Sequence, residues 1–413
     1  MGVVAPLAHG LADFEAALRE GRSAISRRPE LAALNFSCQV AGVPEGIDEM
    51  RDGYFDPSVQ VGMDTSTVLG CVAGLDCWED AGFRPERSPM VDWDTGVILG
   101  TGIGGLETVG KTLVPGVDAG RVRRLGSTIP ERIMCSAPSA RLAGLLGTGG
   151  PATSNSSACS TGAEAIIQGY WAVREGRIDR VLAGGCEGPS AYTWGAFDAM
   201  RVLSRNFNDA PERASRPLSA TACGFVPAAG AGAVMVESLE SALARGARIY
   251  AEIAGAAVNC GGHRNGGTMT LGNPEGVRRA IRAALDDADL RPDAIDLISG
   301  HLTGTIGDPL ELRNWRCALQ LPDDRFPYVN APKSLFGHAL GAAGAIESVA
   351  AILQLVRGFI HPSRNCEDLH PDLAWCEPRI VRRTLDTPLR VVAKASFGFG
   401  DVNSCILFRK FHE

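Results

Sequence analysis

The sequence predicts an α/β fold with substantial parallel sheet, and two observations carry the prediction. Short apolar runs of strand length alternate with amphipathic stretches of helix length along the whole chain. Gly is abundant, at 50 residues, while aromatic residues make up only 6%, a pairing that suits tight turns and close backbone packing. At 413 residues the chain can hold a large core, and two similar-sized lobes are the natural arrangement. We place the boundary near residue 246, giving an N-terminal half of 1–246 and a C-terminal half of 247–413.

Leu11 to Arg19 has helical spacing, but Gly2-Val3-Val4 is too short for a full strand before it, so the first strand is expected to be missing or shortened. Asp64 to Ala81 is a helix with alanine, leucine, valine and tryptophan on one side, stopped by Gly82. Thr95 to Gly100 is a buried strand. Ala163, Ile166, Ile167, Tyr170 and Trp171 share one face of a helix that Glu175-Gly176 stops. Arg180 to Gly185 is a short strand, adjacent and parallel to the one before Cys159. A long polar stretch, Glu187 to Leu218, holds Arg201, Arg205, Arg213 and Arg216. Gly232 to Glu237 is a strand, Leu239 to Arg245 a helix closed by Gly246, and Ile249 to Val258 a long strand. Pro274 to Ala288 is an amphipathic helix with proline in its first turn. Ile295 to Ile298 is a buried strand ending at Gly300-His301, Asp308 to Leu319 a helix, and Tyr328 to Asn330 a short strand. Gly341 to Leu355 is an alanine-rich buried helix opened by Gly337-His338. Arg390 to Ala395 and Val402 to Phe408 form a hairpin around Phe397-Gly398-Phe399-Gly400.

Composition excludes several classes. A formal charge of -7, with no lysine- or arginine-rich run, argues against a nucleic-acid footprint. No apolar stretch is expected to span a membrane, and the first residues lack the basic and apolar regions of a signal peptide. Twelve scattered cysteines, with no Cys-x-x-Cys pair and no histidine at ligand spacing, fit reduced cytoplasmic thiols rather than disulfides or a metal site.

The loop after Thr95–Gly100 matches two nucleotide motifs. Gly100-x-Gly102-x-x-Gly105 fits a dinucleotide fingerprint, and Gly105 to Thr112 fits a phosphate-binding P-loop. Against the P-loop, Glu107 puts a carboxylate where backbone N–H groups would cradle phosphates, and Leu106 and Val109 belong to a helix already begun. The fingerprint lacks its acidic residue at a following strand. A glycine-rich turn between strand and helix explains both.

Cys159 stands at or just before a helix N-terminus, where unpaired N–H groups and the dipole favour a thiolate and can hold an oxyanion. On local sequence alone, a buried small residue is an equal reading. His301 follows a buried strand directly, and His338 opens a helix beside Lys333. Cysteine–histidine chemistry needs convergence in the fold, not proximity in sequence.

These residues resemble a known family. Ala158-Cys159-Ser160-Thr161-Gly162, His301-Leu302-Thr303-Gly304-Thr305-Ile306-Gly307-Asp308, Lys333-Ser334-x-x-Gly337-His338-x-x-Gly341-Ala342-Ala343-Gly344, and Phe397-Gly398-Phe399-Gly400-x-x-Asn403 look like the β-ketoacyl-acyl-carrier-protein synthases, the condensing enzymes of type II fatty-acid and polyketide assembly. The resemblance implies a thiolase-like five-layered αβαβα fold of two related halves, usually dimeric, either with its own copy or with a related subunit. It implies a nucleophile at Cys159, partner histidines at His301 and His338, and a supporting Lys333 paired with Glu347. By the same match, Thr303 and Thr305 line a pantetheine arm, and Asp308 supports them. Cys159 and Phe399 N–H groups form an oxyanion hole, with Phe399-Gly400 as gate. Ile103 and Phe197 fall at acyl-pocket positions, and Arg201 and Arg205 in a patch that docks an acidic acyl carrier protein. No cofactor is bound; substrates arrive on the carrier's phosphopantetheine arm.

The chain departs from the family at Leu302 and Asp401, which replace glycines expected to lie beside the substrate chain, at Cys223-Gly224-Phe225 and at Pro227-Ala228-Ala229. These departures point to a specialised polyketide or polyene pathway rather than housekeeping fatty-acid elongation. A non-catalytic chain-length factor is disfavoured because the cysteine and both histidines are kept. A thiolase proper is disfavoured because Cys405 lies inside a strand, and a P-loop NTPase for the reasons above.

Overall fold

The computed structural model describes residues 1–84 and 90–411. Two mixed sheets form its frame. The first contains β1 (Gly2–Ala5), β2 (Ala8–His9), β3 (Thr95–Gly100), β4 (Ala152–Thr153), β5 (Arg180–Glu187) and β6 (Gly230–Glu237), in the order β2-β1-β6-β5-β3-β4. The second contains β7 (Ala251–Cys260), β8 (Leu297–Ser299), β9 (Tyr328–Asn330), β10 (Val391–Gly398) and β11 (Val402–Lys410), in the order β9-β8-β10-β11-β7. In each, three parallel strands (β5, β3, β4 and β9, β8, β10) continue into antiparallel ones, so the two halves repeat one plan.

The first strand is present, though only four residues long: β1 is fully buried and pairs with β6, Val3 opposite Gly232. The Met1 amine, buried with it, is ion-paired to Asp80 at 2.6 Å. Arg180–Glu187 pairs in parallel with Thr95–Gly100, while the two-residue strand immediately before Cys159, β4, lies beyond it at the sheet edge. The polar stretch after Glu187 hides a helix, Ala191–Ala199, capped by Ser190, whose side chain accepts the Tyr192 N–H.

Helices make the other three layers. Thr65–Asp80, capped by Asp64, and Ala137–Leu146 cover the outer face of the first sheet; Pro274–Asp287 and Gly307–Leu319 cover that of the second. Thr161–Arg174 and Ala343–Arg357 lie between the sheets, completing the αβαβα stack. These two central helices touch through glycine: a Cβ on Gly162 would stand 2.7 Å from Ala345 N, and one on Gly344 2.5 Å from Ala163 N. The stretch Leu340–Arg357 is apolar and long enough to cross a membrane, contrary to expectation, yet it is almost wholly buried against both sheets. An apolar surface on most sides, with Glu347 as a paired exception, is what a core helix packed all round requires.

Candidate active site

Cys159 sits in one tight turn, Ala158–Ser160, directly ahead of the Thr161–Arg174 helix. Ala158 takes a left-handed φ of 49°, uncommon for a residue with a Cβ. The Thr161 hydroxyl pins this turn, donating to the Ala158 carbonyl at 2.7 Å and accepting the Ser157 N–H at 2.8 Å. Ser160 Oγ donates to Ser396 O at 3.1 Å and so ties the turn to β10 in the other half. The expectation that the helix start favours a thiolate meets an opposing effect here. Burial pushes the thiol up to about 11, against the Lys333 charge and the Phe399 N–H directed at the sulfur. The helix terminus is outweighed because the sulfur has lost its water, and the resting group at neutral pH is a thiol.

His301 follows β8, its backbone held by Glu311, whose carboxylate accepts the N–H of His301 at 2.7 Å and of Leu302 at 2.8 Å. His338 lies just past the short helix Lys333–Phe336. The Leu340 N–H donates to His338 Nδ1 at 3.3 Å, so the ring proton belongs on Nε2, which lies 3.0 Å from Cys159 Sγ. Lys333 Nζ stands 3.4 Å from His301 Nδ1 and donates to the His301 carbonyl at 2.6 Å. An ammonium at Nδ1 leaves the proton of that ring on Nε2 as well. Burial first, and the Lys333 charge second, hold both imidazoles well below their ordinary 6.5. Two neutral rings thus present N–H donors beside one sulfur, the three ligating atoms lying within 4.8 Å of one another. A cysteine and two histidines this close also match a zinc donor set, but an ammonium behind His301 is the opposite of the carboxylate or carbonyl that supports a metal-bound histidine.

Beneath the rings lies a buried charge cluster. Glu347 meets Lys333 with one oxygen at 2.6 Å and Lys394 with the other at 2.8 Å, all three side chains being almost fully enclosed. Asp308 accepts the N–H groups of Thr303 at 2.8 Å, Gly304 at 3.0 Å and Leu218 at 2.9 Å, which fixes the loop bearing Thr303 and Thr305. The two threonine hydroxyls are 3.0 Å apart.

Cys159, both histidines, Thr303, Thr305, Phe197 and Phe399 border one cavity of about 220 Å3. Phe197, on the Ala191–Ala199 helix, packs against Phe399 at 5.9 Å and Phe225 at 5.4 Å between ring centroids. Two predicted pocket residues lie elsewhere. Gly400 is outside this cavity, its N–H bonded to the Met269 carbonyl at 2.8 Å. Ile103 is exposed and also outside it, because its N–H turns inward to Glu187. The two glycine replacements do not narrow the cavity either: Leu302 is buried in the core with Trp315 and Leu312, and the Asp401 carboxylate is turned toward a neighbouring loop. Arg201 and Arg205 are exposed and form no ion pair among the described residues; Arg201 stands four residues beyond Phe197 with a left-handed φ of 59°.

The glycine loop after β3 does not cradle phosphate. The Glu187 carboxylate takes its Gly102 N–H at 2.9 Å, along with the Gly341 N–H at 3.1 Å and the Thr101 hydroxyl at 3.3 Å. The chain is helical from Leu106, and Lys111 is exposed and paired to Glu107. Sequence reasoning missed Glu187, Glu311 and Lys394. Lys394 carried one signal, being a lysine in the middle of the apolar run Val391-Val392-Ala393 and Ala395.

Comparison with known proteins accords with this geometry. Residues 1–242 match the N-terminal domain of β-ketoacyl synthases and residues 250–367 the C-terminal domain. The 3-oxoacyl-[acyl-carrier-protein] synthase 1 of Escherichia coli K12 is 36% identical over 100% of this chain and 98% of its own length. A putative polyketide β-ketoacyl synthase 1 of Streptomyces halstedii is 34% identical over 98% of this chain and 96% of its own length. Among solved structures, the AntDE:AntF complex, a type II PKS acyl-carrier protein with its ketosynthase bound to the hexaketide, superposes with a TM-score of 0.87. It is 27% identical over 99% of this chain and 98% of that one. The fold and the paired domain matches define a thiolase-like condensing acyltransferase. The chain belongs to the β-ketoacyl synthase family.

Proposed function

We propose that Cys159 accepts an acyl group from a carrier-protein thioester and that His301 and His338 then drive its condensation with malonyl-carrier protein. In the first step the Cys159 sulfur bonds to the acyl carbon and the bond to the pantetheine sulfur breaks. The thiol proton ends on the departing pantetheine sulfur. In the second, the malonyl carbon–carbon bond breaks, carbon dioxide leaves, and the electron pair moves into the thioester carbonyl as an enolate. The two Nε2–H groups donate to that oxygen. The enolate carbon attacks the acyl-cysteine, whose oxyanion takes the N–H groups of Cys159 and Phe399. Collapse expels the thiolate and leaves a β-ketoacyl-carrier product. Lys333 and Glu347 support the histidines, and Thr303 and Thr305 hold the pantetheine arm.

The observation that carries this reading is the convergence of Cys159 Sγ and the two imidazoles within 4.8 Å beside one cavity. Mass spectrometry of the intact protein after incubation with acyl-carrier thioesters tests it: Cys159 gains the acyl mass, and Cys159→Ala does not. A wild-type cysteine that no carrier-bound acyl group modifies would overturn it.

The pathway we assign is a specialised type II polyketide or polyene one, supported by the likeness to the Streptomyces relative and to the AntDE:AntF ketosynthase. Housekeeping fatty-acid elongation is the second reading, favoured by the 36% identity to the Escherichia coli enzyme. A panel of saturated and polyunsaturated or poly-β-keto acyl carriers separates them by which acyl group is elongated. The partner in either case is an acidic carrier protein meeting Arg201 and Arg205, in the cytoplasm. The exposed edge strand β4 supports pairing with a second copy or a related subunit.

A further inference from the structure

Asp401 is a buried carboxylate at a left-handed turn, φ 60°, and forms no ion pair among the described residues. It is satisfied instead by backbone from a different segment. Oδ2 accepts the His263 N–H at 3.1 Å and Oδ1 the Asn273 N–H at 2.7 Å. Its carbonyl accepts the Gly261 N–H at 2.9 Å, and the preceding Gly400 N–H donates to the Met269 carbonyl at 2.8 Å. All four partners lie in 261–273, the loop between β7 and the Pro274–Asp287 helix. That loop has been kept open for the carboxylate, since a Cβ on either Gly261 or Gly267 would collide with it.

The two segments are neighbouring parts of the wall of one cavity. The turn at 399–401 carries Phe399, and the 261–273 loop carries Thr270, Leu271 and Gly272, all of which border the cavity that holds Cys159. Most of the loop is exposed, and the carboxylate supplies two of the four bonds given above that tie it to the 399–401 turn. A side chain with a Cβ is held in a left-handed conformation only where its surroundings over-determine it. Here the over-determination comes from the bonds between the two segments.

We propose that Asp401 is a positioning residue, a carboxylate staple that joins the Phe399 turn to the 261–273 loop so that these two parts of the cavity wall open together or not at all. It touches no reacting atom. Its effect is on access to Cys159 by long chains, and in that respect it rests on the cavity being the acyl entrance proposed above.

The test uses the intact protein and no carrier substrate, so it stands apart from any failure of the condensation reading. Hydrogen–deuterium exchange is followed in peptides covering 261–273, together with peptide-resolved alkylation of Cys159 by iodoacetamide and by a long-chain alkyl maleimide. In Asp401→Gly, a residue that suits the turn, exchange in 261–273 is expected to rise about tenfold, as for a loop that opens locally. Alkylation of Cys159 by the long-chain reagent should rise several-fold while iodoacetamide reacts as before. Asp401→Asn, which keeps one acceptor oxygen and tolerates the turn, should fall between the two. Gly267→Ala disturbs the same staple from the other side and should reproduce the effect with Asp401 untouched. It decides the matter should Asp401→Gly fail to fold. Unchanged exchange in 261–273, or an equal rise with both reagents, would overturn the proposal.

Discussion

Nε2 of His338 lies 3.0 Å from Sγ of Cys159, and a backbone N–H on the far side of the ring decides that Nε2 holds the proton. The histidine is therefore a donor facing the cavity, not a base waiting for the thiol. This divides the labour between the half-reactions. Cys159→Ala is expected to abolish condensation yet still release carbon dioxide from malonyl-carrier protein. His301→Ala and His338→Ala should keep acylation of Cys159 while decarboxylation falls roughly 10²–10³-fold, the scale for loss of one well-placed donor to an oxyanion. Labelled bicarbonate release and acyl-enzyme mass spectrometry read the steps independently. Loss of decarboxylation in Cys159→Ala as complete as in the histidine variants would sink this division.

Glu347 neutralises two ammonium groups at once, so its loss should be worse than the loss of either lysine. Glu347→Gln strands both buried charges and is expected to cost about 3–5 kcal/mol, the range for breaking a buried pair. Lys394→Met leaves Lys333 and Glu347 as a complete pair and should cost distinctly less. Urea unfolding of the two variants makes the comparison; equal destabilisation would show that Lys394 is as indispensable as the carboxylate.

Glu187 gives the protein a pH-dependent stability term of predictable sign. Burial raises its carboxyl from 4.5 to about 7, although backbone N–H groups oppose the shift. The native state thus binds the proton more tightly than the unfolded chain does. Its contribution is greatest below pH 4.5 and is lost as pH rises through about 7. The loss is of order 3 kcal/mol at most, at 1.36 kcal/mol per unit. Glu187→Gln has no such titration, so it should gain relative to wild type between about pH 5 and pH 8. Parallel stability curves for the two proteins would mean the carboxylate is ionised in the fold throughout.

Arg201 is exposed without an ion-pair partner among the described residues, four positions from the cavity-lining Phe197. Arg201→Glu should raise the KM for carrier-bound substrate several-fold while sparing a small pantetheine thioester, since such charges set encounter and orientation. The effect should shrink in high salt. Equal loss with both substrates would place Arg201 in the pocket or the fold instead.

What could be read from the residues followed from how local each signal was. The helix after Cys159 and the strand Tyr328–Asn330 were legible because periodicity and bounding turns are written in adjacent positions. The Ala191–Ala199 helix was not, because its tyrosine, phenylalanine and arginine-rich surroundings blur any single apolar face. Lys394 and Glu187 escaped because a buried charge is recognised by its partner, and theirs come from residues 47 and 85 positions or more away. The thiol was legible only in part, for the opposite reason: the helix start is visible in sequence, while the desolvation that outweighs it is not. Leu302 and Asp401, read as departures from the family pattern, were assigned the wrong direction, since sequence says nothing about which way a side chain leaves the backbone.

The central helix Ala343–Arg357 has a consequence for the order of synthesis. The strands that cover it on one side, β10 and β11, are made after it, and β11 must reach back to β7, some 150 residues earlier in the chain. Until they are made, an apolar segment of membrane-spanning length has one flank bare. The nascent second half is therefore most vulnerable to aggregation or mistargeting before β10 and β11 are made, and deleting β11 would make that transient exposure permanent.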